Sequence, residues 1–265
     1  MLYELILIVI IILILYIFCK CEKKEQYNKL VDIEPKINLV TSFFNKKTDN
    51  ELLKKRNNEY NITLIKNLES PFIKKLHLFI EDEYSLSILN NIINNNIDYN
   101  NKIIKIMFNK QPMYSDFFKY SFDNIKEEIV MIANSDIYLD KCDNYILDKY
   151  VLEKNNVFSL TRYENEIDKP LIDNYQGSHD VFIFKSPLNE DISIRSNFTQ
   201  NNWGSENLVI SLLFNNNYTV INPCFQIKII HNHETELRND NRIRINTTDY
   251  MNDYKYHHVN PIILE

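Results

Sequence analysis

Glycine is almost missing from this chain: 265 residues contain two, Gly177 and Gly204. Neither GxGxxG nor GxxxxGK(S/T) can be written with them. No glycine-rich loop cradles a phosphate here, and any nucleotide must be held another way. Cysteine is sparse too, with four residues and no CxxC pair. That argues against a cysteine zinc site. Cys142 and Cys224 read as buried thiols or one bridge, and Cys19 and Cys21 sit where acylation at a membrane edge is open to them. Positive charge is also in deficit. The formal net charge of −6 argues against a broad nucleic-acid surface, which needs clustered Lys and Arg. Small phosphorylated ligands remain open, since a metal and a few basic groups suffice to hold them.

What the chain does have is one long uncharged apolar run, residues 5–18, LILIVIIILILYIF. With Leu2 and Tyr3 it is just long enough to span a bilayer as a helix. Glu4 precedes it, no positive n-region does, and no small-residue cleavage site follows, so it reads as a permanent single-pass anchor rather than a cleaved signal. Lys20, Lys23 and Lys24 follow the span. The positive-inside rule would leave the large domain in the cytoplasm, but orientation stays open. The expected organisation is therefore an anchor at 1–19, a charged stem at 20–35 and one catalytic-size domain at 36–265. The expected location is a membrane, of ER or Golgi type or a host membrane if the source is eukaryotic or viral.

Beyond the stem, strand-like and helix-like patterns alternate. Strands are expected at 37–42, 76–80, 103–108 and 129–133, with helices from Asp49 to about Tyr60, from Ser85 to Ile93 and from Tyr114 to Phe122. This alternation implies βαβ units and a largely parallel sheet. Later come a helical piece from Asp140 to about Leu152, strands at 157–162 and 181–185, and an irregular stretch at 186–202. A helix at 206–214 and strands at 218–221 and 225–230 follow; the tail beyond Arg238 has no clear pattern.

The decisive stretch is IVMIANSDIYLD at 129–140. A buried strand stops at Asn134-Ser135-Asp136, which places polar groups at the rim of a sheet. Ligands bind at the carboxyl ends of strands in open α/β sheets, and an Asp there can hold a divalent metal through oxygen. The bland alternative is a turn capping the next helix. Other polar clusters end other apolar runs. Arg162 and Glu164 follow one strand; Ser178, His179 and Asp180 precede another; Trp203-Gly204-Ser205-Glu206 open a helix; His231 and His233 end the last strand. Each also has a plain reading. Arg162 suits an ion pair with Glu164 or Asp180, and Glu206 suits the positive end of a helix dipole. His231 and His233, two apart on a strand, share a face and suit two metal ligands or two partly exposed polar groups. Gly204 marks a backbone position that excludes a Cβ.

The order of these clusters resembles glycosyltransferases of the GT-A type. NSD at 134–136 lies at the place of the DxD metal motif, WGSEN at 203–207 looks like the Gly-x-acid element, and HNH at 231–233 lies at the late-His place. TSFF at 41–44, SLTRYE at 159–164 and GSHDVFIF at 177–184 are similar to a poorly characterised group of such proteins from viruses, bacteria and plants. The resemblance covers roughly 36–238 and departs at Asn134, where the motif's first acid is expected.

The resemblance implies a GT-A-like, Rossmann-like mixed and mainly parallel sheet flanked by helices. It also implies a sugar transferred from a nucleotide-sugar donor to a hydroxyl of a glycan, protein or lipid acceptor. Mn2+ or Mg2+ would sit on Asp136 with His233 and His231. Thr41, Ser42, Glu81, Asn134 and Arg162 would bind the donor. Glu206 or Asp180 would take the acceptor proton, with Glu206 preferred, and Trp203 and Gly204 would meet the acceptor. Tyr114 suits core packing better than sugar stacking. Two rivals stand beside this reading: a metal-dependent hydrolase or nuclease, and a non-catalytic membrane-tethered protein that binds nucleotide or sugar.

Overall fold

Four apolar runs become four parallel strands: β1 (Ile37–Phe43), β2 (Ile73–Ile80), β3 (Ile103–Met107) and β4 (Ile129–Ala133). β1 and β4 are continuous buried runs because helices cover both faces of a parallel sheet. β3 is the exposed edge, and Lys105 lies on it. Two further strands, β6 (Val157–Leu160) and β8 (Val181–Lys185), extend the sheet beyond β4, and β9 (Val220–Ile221) closes it. The order is β3-β2-β1-β4-β8-β6-β9. β8 runs antiparallel to both β4 and β6, and β9 parallel to β6. The structure, a computed structural model, describes residues 34–94, 96–164, 178–200, 202–235, 237, 245 and 257–265. The expected anchor at 1–19 and all but the last two residues of the stem lie outside the described residues. Among the described residues no helix is long and apolar enough to cross a membrane.

On one face of the sheet, Val40, Val130, Ile132, Phe182 and Phe184 pack against α4 (Tyr114–Asn124), α6 (Glu190–Arg195) and α7 (Ser205–Asn215). Tyr114 is fully buried there, a core residue with no surface for a sugar ring. The other helices are α1 (Glu51–Glu69), α2 (Glu83–Ile93), α3 (Ile97–Lys102) and α5, which opens at Asn144–Ile146 and widens to π-helical turns over Leu147–Glu153.

α1 departs from expectation at both ends. Asn50, not Asp49, caps it by accepting from the Leu52 and Leu53 amides, and it runs nine residues past Tyr60. Its buried stripe is Glu59, Thr63, Leu64, Asn67 and Leu68. Three of those five are polar, so hydropathy periodicity could not see the helix continue. Their partners lie in, or in the segment just after, a second, small sheet that the sequence did not announce, in the order β5 (Ile137–Lys141), β10 (Lys228–His231), β7 (Tyr163–Glu164). Asn67 donates to the Ile137 carbonyl and accepts from the Leu139 amide, at 2.9 and 3.1 Å. Asn232 donates to the Glu59 carbonyl and to Thr63.

β5 also settles the helix after 140. Asp143 caps α5 by accepting from the Tyr145 amide, whereas Asp140 lies exposed on β5. Asn134-Ser135-Asp136 is thus a turn between two strands, with Ile137 N–H donating to the Asn134 carbonyl, and caps no helix. The last strand begins three residues later than expected because Pro223–Gln226 closes a turn, Gln226 N–H donating to the Pro223 carbonyl.

Candidate functional site at the switch point of the sheet

The strand order places a crevice. From β1 the chain steps outward to β2 and β3, then returns to the other side of β1 to make β4. The helical connections therefore diverge at the carboxyl ends of β1 and β4, the switch point where open α/β sheets bind ligands. Thr41 and Ser42 end β1; Thr41 Oγ1 donates to the Ala133 carbonyl across the seam at 2.9 Å. A narrow crevice opens here, lined by Thr41, Ser42, Tyr60, Asn134 and Ser135, with free space of about 10 Å3, the room of one water. Beside it, burial lifts the Glu81 carboxyl to about 7 although the Ser42 hydroxyl bonds it.

The same rim gathers residues distant in the chain. β8 is antiparallel to β4, so Val181 faces Ala133 and Asp180 arrives beside Asn134. β6 is antiparallel to β8, so Leu160 faces Val181 and Arg162 follows at the same edge. Arg162 makes the ion pairs its neighbours suggested, to Asp180 at 2.9 Å and Glu164 at 3.3 Å. Asn134 Nδ2 donates to Asp180 Oδ1 at 3.4 Å, and Ser178 Oγ donates to Asp180 Oδ2 at 2.5 Å. The Asn134 Oδ1 is buried and has no hydrogen-bond partner among the described residues.

The small sheet adds the other half. His231 on β10 faces Ile137 on β5 and Glu164 on β7. Its Nε2 lies 3.2 Å from Asp136 Oδ2 and its Nδ1 3.2 Å from Glu164 Oε2. His233 Nδ1 lies 3.8 Å from the same Asp136 oxygen. From α1, Arg56 Nη2 reaches that oxygen at 2.5 Å while its Nη1 bonds Glu59 at 2.6 Å. Glu59 in turn accepts from the backbone amides of Glu234 and Thr235, which fixes the segment carrying His233. The outcome is a row of alternating charge: Glu59, Arg56, Asp136, His231, Glu164, Arg162, Asp180.

Each proton affinity follows from that row. Burial opposes ionisation of Asp136, but His231 and Arg56 outweigh it and hold the carboxyl well below its usual range. Burial also opposes charge on His231; its hydrogen bonds to Asp136 and Glu164 win and raise it to about 9. The His231 bond lowers Glu164 to about 2. His233 goes the other way, lowered by burial and by the Arg56 and His231 charges. Glu206, in the first turn of α7, is raised to about 8 by burial and then by the Asp180 charge. Gly204 caps that helix at φ 89°, in the left-handed region where a Cβ is costly. Trp203 beside it is 59% exposed.

Asp136, His231 and His233 offer ligand atoms within 4.8 Å of one another. The fit to a divalent ion is good at His233, whose proton affinity is lowered and whose buried Nε2 has no hydrogen-bond partner among the described residues. It is poorer at His231, which donates from both nitrogens to carboxylates and would have to give up a proton. Sequence reasoning missed Arg56, Glu59 and Tyr60. Their i, i+3, i+4 spacing, which puts them on one helical face, was the available signal.

The described chain is thus a mixed α/β, Rossmann-like sheet with flanking helices, an arrangement that fits a GT-A-like fold. No family model matches the sequence, and no curated protein does. Among solved structures, the chain is similar to a mannosyltransferase from Pyrobaculum calidifontis in complex with GDP-Man and Mn2+, at 10% identity and a TM-score of 0.48, over 79% of this chain and 59% of that one. It is similar to a 4-diphosphocytidyl-2C-methyl-D-erythritol synthase from Anaerococcus prevotii, at 10% identity and a TM-score of 0.41, over 73% and 89%. It is also similar to an inositol-1-phosphate CTP transferase from T. maritima, at 9% identity and a TM-score of 0.43, over 78% and 93%. Likeness at this level decides neither reaction nor ligand; the fold rests on the strand order above.

Proposed function

We propose that this protein is a glycosyltransferase that takes a sugar from a nucleotide-sugar donor and passes it to an acceptor hydroxyl, tethered to a membrane by residues 1–19. The observation that supports it most is the gathering of Asp136, His233 and Arg162 at the carboxyl rim of the sheet, around the β1–β4 switch point, with Glu206 close enough to feel the Asp180 and Arg162 charges. In this reading Thr41, Ser42 and Glu81 meet the base and ribose, and Arg162 faces the donor's phosphates. A Mn2+ or Mg2+ ion held by Asp136 and His233 would supply Lewis-acid neutralisation of the leaving diphosphate.

Glu206 takes the proton of the acceptor hydroxyl. Its raised proton affinity makes it a stronger base once ionised, and restricts that form to alkaline solution. Among the described residues, the rim carboxylates Glu59, Asp136, Glu164 and Asp180 each already face a cation. This disfavours the two-metal hydrolase, which needs carboxylates free to share two ions.

The direct test is a screen of nucleotide sugars for thermal stabilisation with and without manganese, followed by product analysis. Release of nucleoside diphosphate with a glycosylated acceptor supports sugar transfer; release of pyrophosphate would instead indicate nucleotidyl transfer. Asp136→Ala is expected to abolish metal-stimulated donor binding. Undiminished stimulation in that variant removes Asp136 from the metal.

A further inference from the structure

Arg56 stands on the Asp136 oxygen that both histidines approach. Asp136 Oδ2 lies 3.2 Å from His231 Nε2 and 3.8 Å from His233 Nδ1, within the cluster of three candidate ligands. Arg56 Nη2 lies 2.5 Å from that same oxygen. The guanidinium is no loose surface group. Its side chain is 13% exposed, its Nη1 is held by Glu59 at 2.6 Å, its Nε donates to the Tyr60 hydroxyl at 3.0 Å, and its Cζ lies 4.4 Å from the Tyr60 ring centroid. Three contacts with two residues therefore keep a permanent cation on one carboxylate oxygen. Two cations on one oxygen repel each other strongly where water is scarce.

We propose that Arg56 is a built-in competitor of the divalent ion: the ion pair Arg56–Asp136 and metal ligation by Asp136 exclude each other, so Arg56 sets the metal concentration at which the site loads. This rests on the metal reading given above. It also gives Asn134 a physical sense. With an amide at the motif's first position a single carboxylate remains, and Arg56 together with the charged His231 neutralises it in the metal-free protein.

The experiment is binding of Mn2+ alone, followed by electron paramagnetic resonance and calorimetry, on the full chain and its variants. Arg56→Gln is expected to tighten Mn2+ binding roughly tenfold or more, the scale of one charge-assisted hydrogen bond no longer broken on loading. Tyr60→Phe keeps the charge and the ring but frees Nε; it is expected to tighten binding about threefold, and it serves if Arg56→Gln does not fold. Wild type binding Mn2+ with both variants no tighter overturns the competition and leaves the metal site standing. No binding by wild type or any variant overturns the metal site and this proposal together.

Discussion

At the residue scale, one carboxyl governs what can be measured against pH. Burial and the neighbouring Asp180 lift Glu206 from an ordinary value of 4.5 to about 8. Below about pH 4.5 it is protonated in folded and unfolded chains alike. Between that value and about 8 unfolding releases its proton, so this contribution to stability is lost as pH rises and levels off beyond. Glu206→Gln has no such slope. Urea denaturation at about pH 5 and about pH 8.5 should therefore favour the variant increasingly at the higher pH. A constant gap between the two proteins would place Glu206 in water. In catalysis the same shift predicts that transfer rises with pH through about 8. Glu206→Gln should keep donor binding and lose activity by roughly 100-fold or more; full transfer in that variant removes Glu206 as the base. The candidate residues Asp136, Arg162, Glu206 and His233 were all marked in the sequence by polar side chains ending or opening apolar runs. Arg56 was not singled out, because its i, i+3, i+4 spacing with Glu59 and Tyr60 is common on solvated helix faces and does not name Asp136, the distant acid that it meets.

At the scale of elements, α1 is the support on which the site depends. It reaches the small sheet through polar side chains rather than through an apolar seam. Asn67 alone satisfies the Ile137 carbonyl and the Leu139 amide, both in the strand that follows Asp136. Asn67→Leu leaves two buried backbone groups without partners and should cost about 2–4 kcal/mol. Chemical denaturation measures this, and a loss under about 0.5 kcal/mol would mean that water replaces the amide. Strands of β1, β4, β6 and β8 were readable because buried runs of Val, Ile, Leu and Phe have one meaning in a βαβ series. Of the small sheet only β10 was readable, as the strand expected at 225–230. Its members are two to five residues long, and β7 is only Tyr163–Glu164. Such strands exist because distant segments pair, and local periodicity holds no record of a partner.

At the scale of the molecule, residues Pro35–Glu265 form one compact unit with its own core. A chain beginning at Pro35 should unfold in a single cooperative transition, and only the longer chain should partition into lipid vesicles. Equal partitioning of both would remove residues 1–19 as the anchor. The amino-acid sequence by itself determined the parallel βαβ half, the scarcity of glycine that rules out a glycine-rich phosphate loop, and the polar groups at strand ends. These follow from burial and backbone sterics acting over a few neighbouring residues. Only the tertiary structure decided that the antiparallel pair β8 and β6 returns Asp180 and Arg162 to the rim where Asn134 waits, and that Arg56 meets Asp136 across 80 positions of chain. Those meetings depend on pairing register and helix docking, which are properties of the packed whole and leave no periodic trace in the segments that make them.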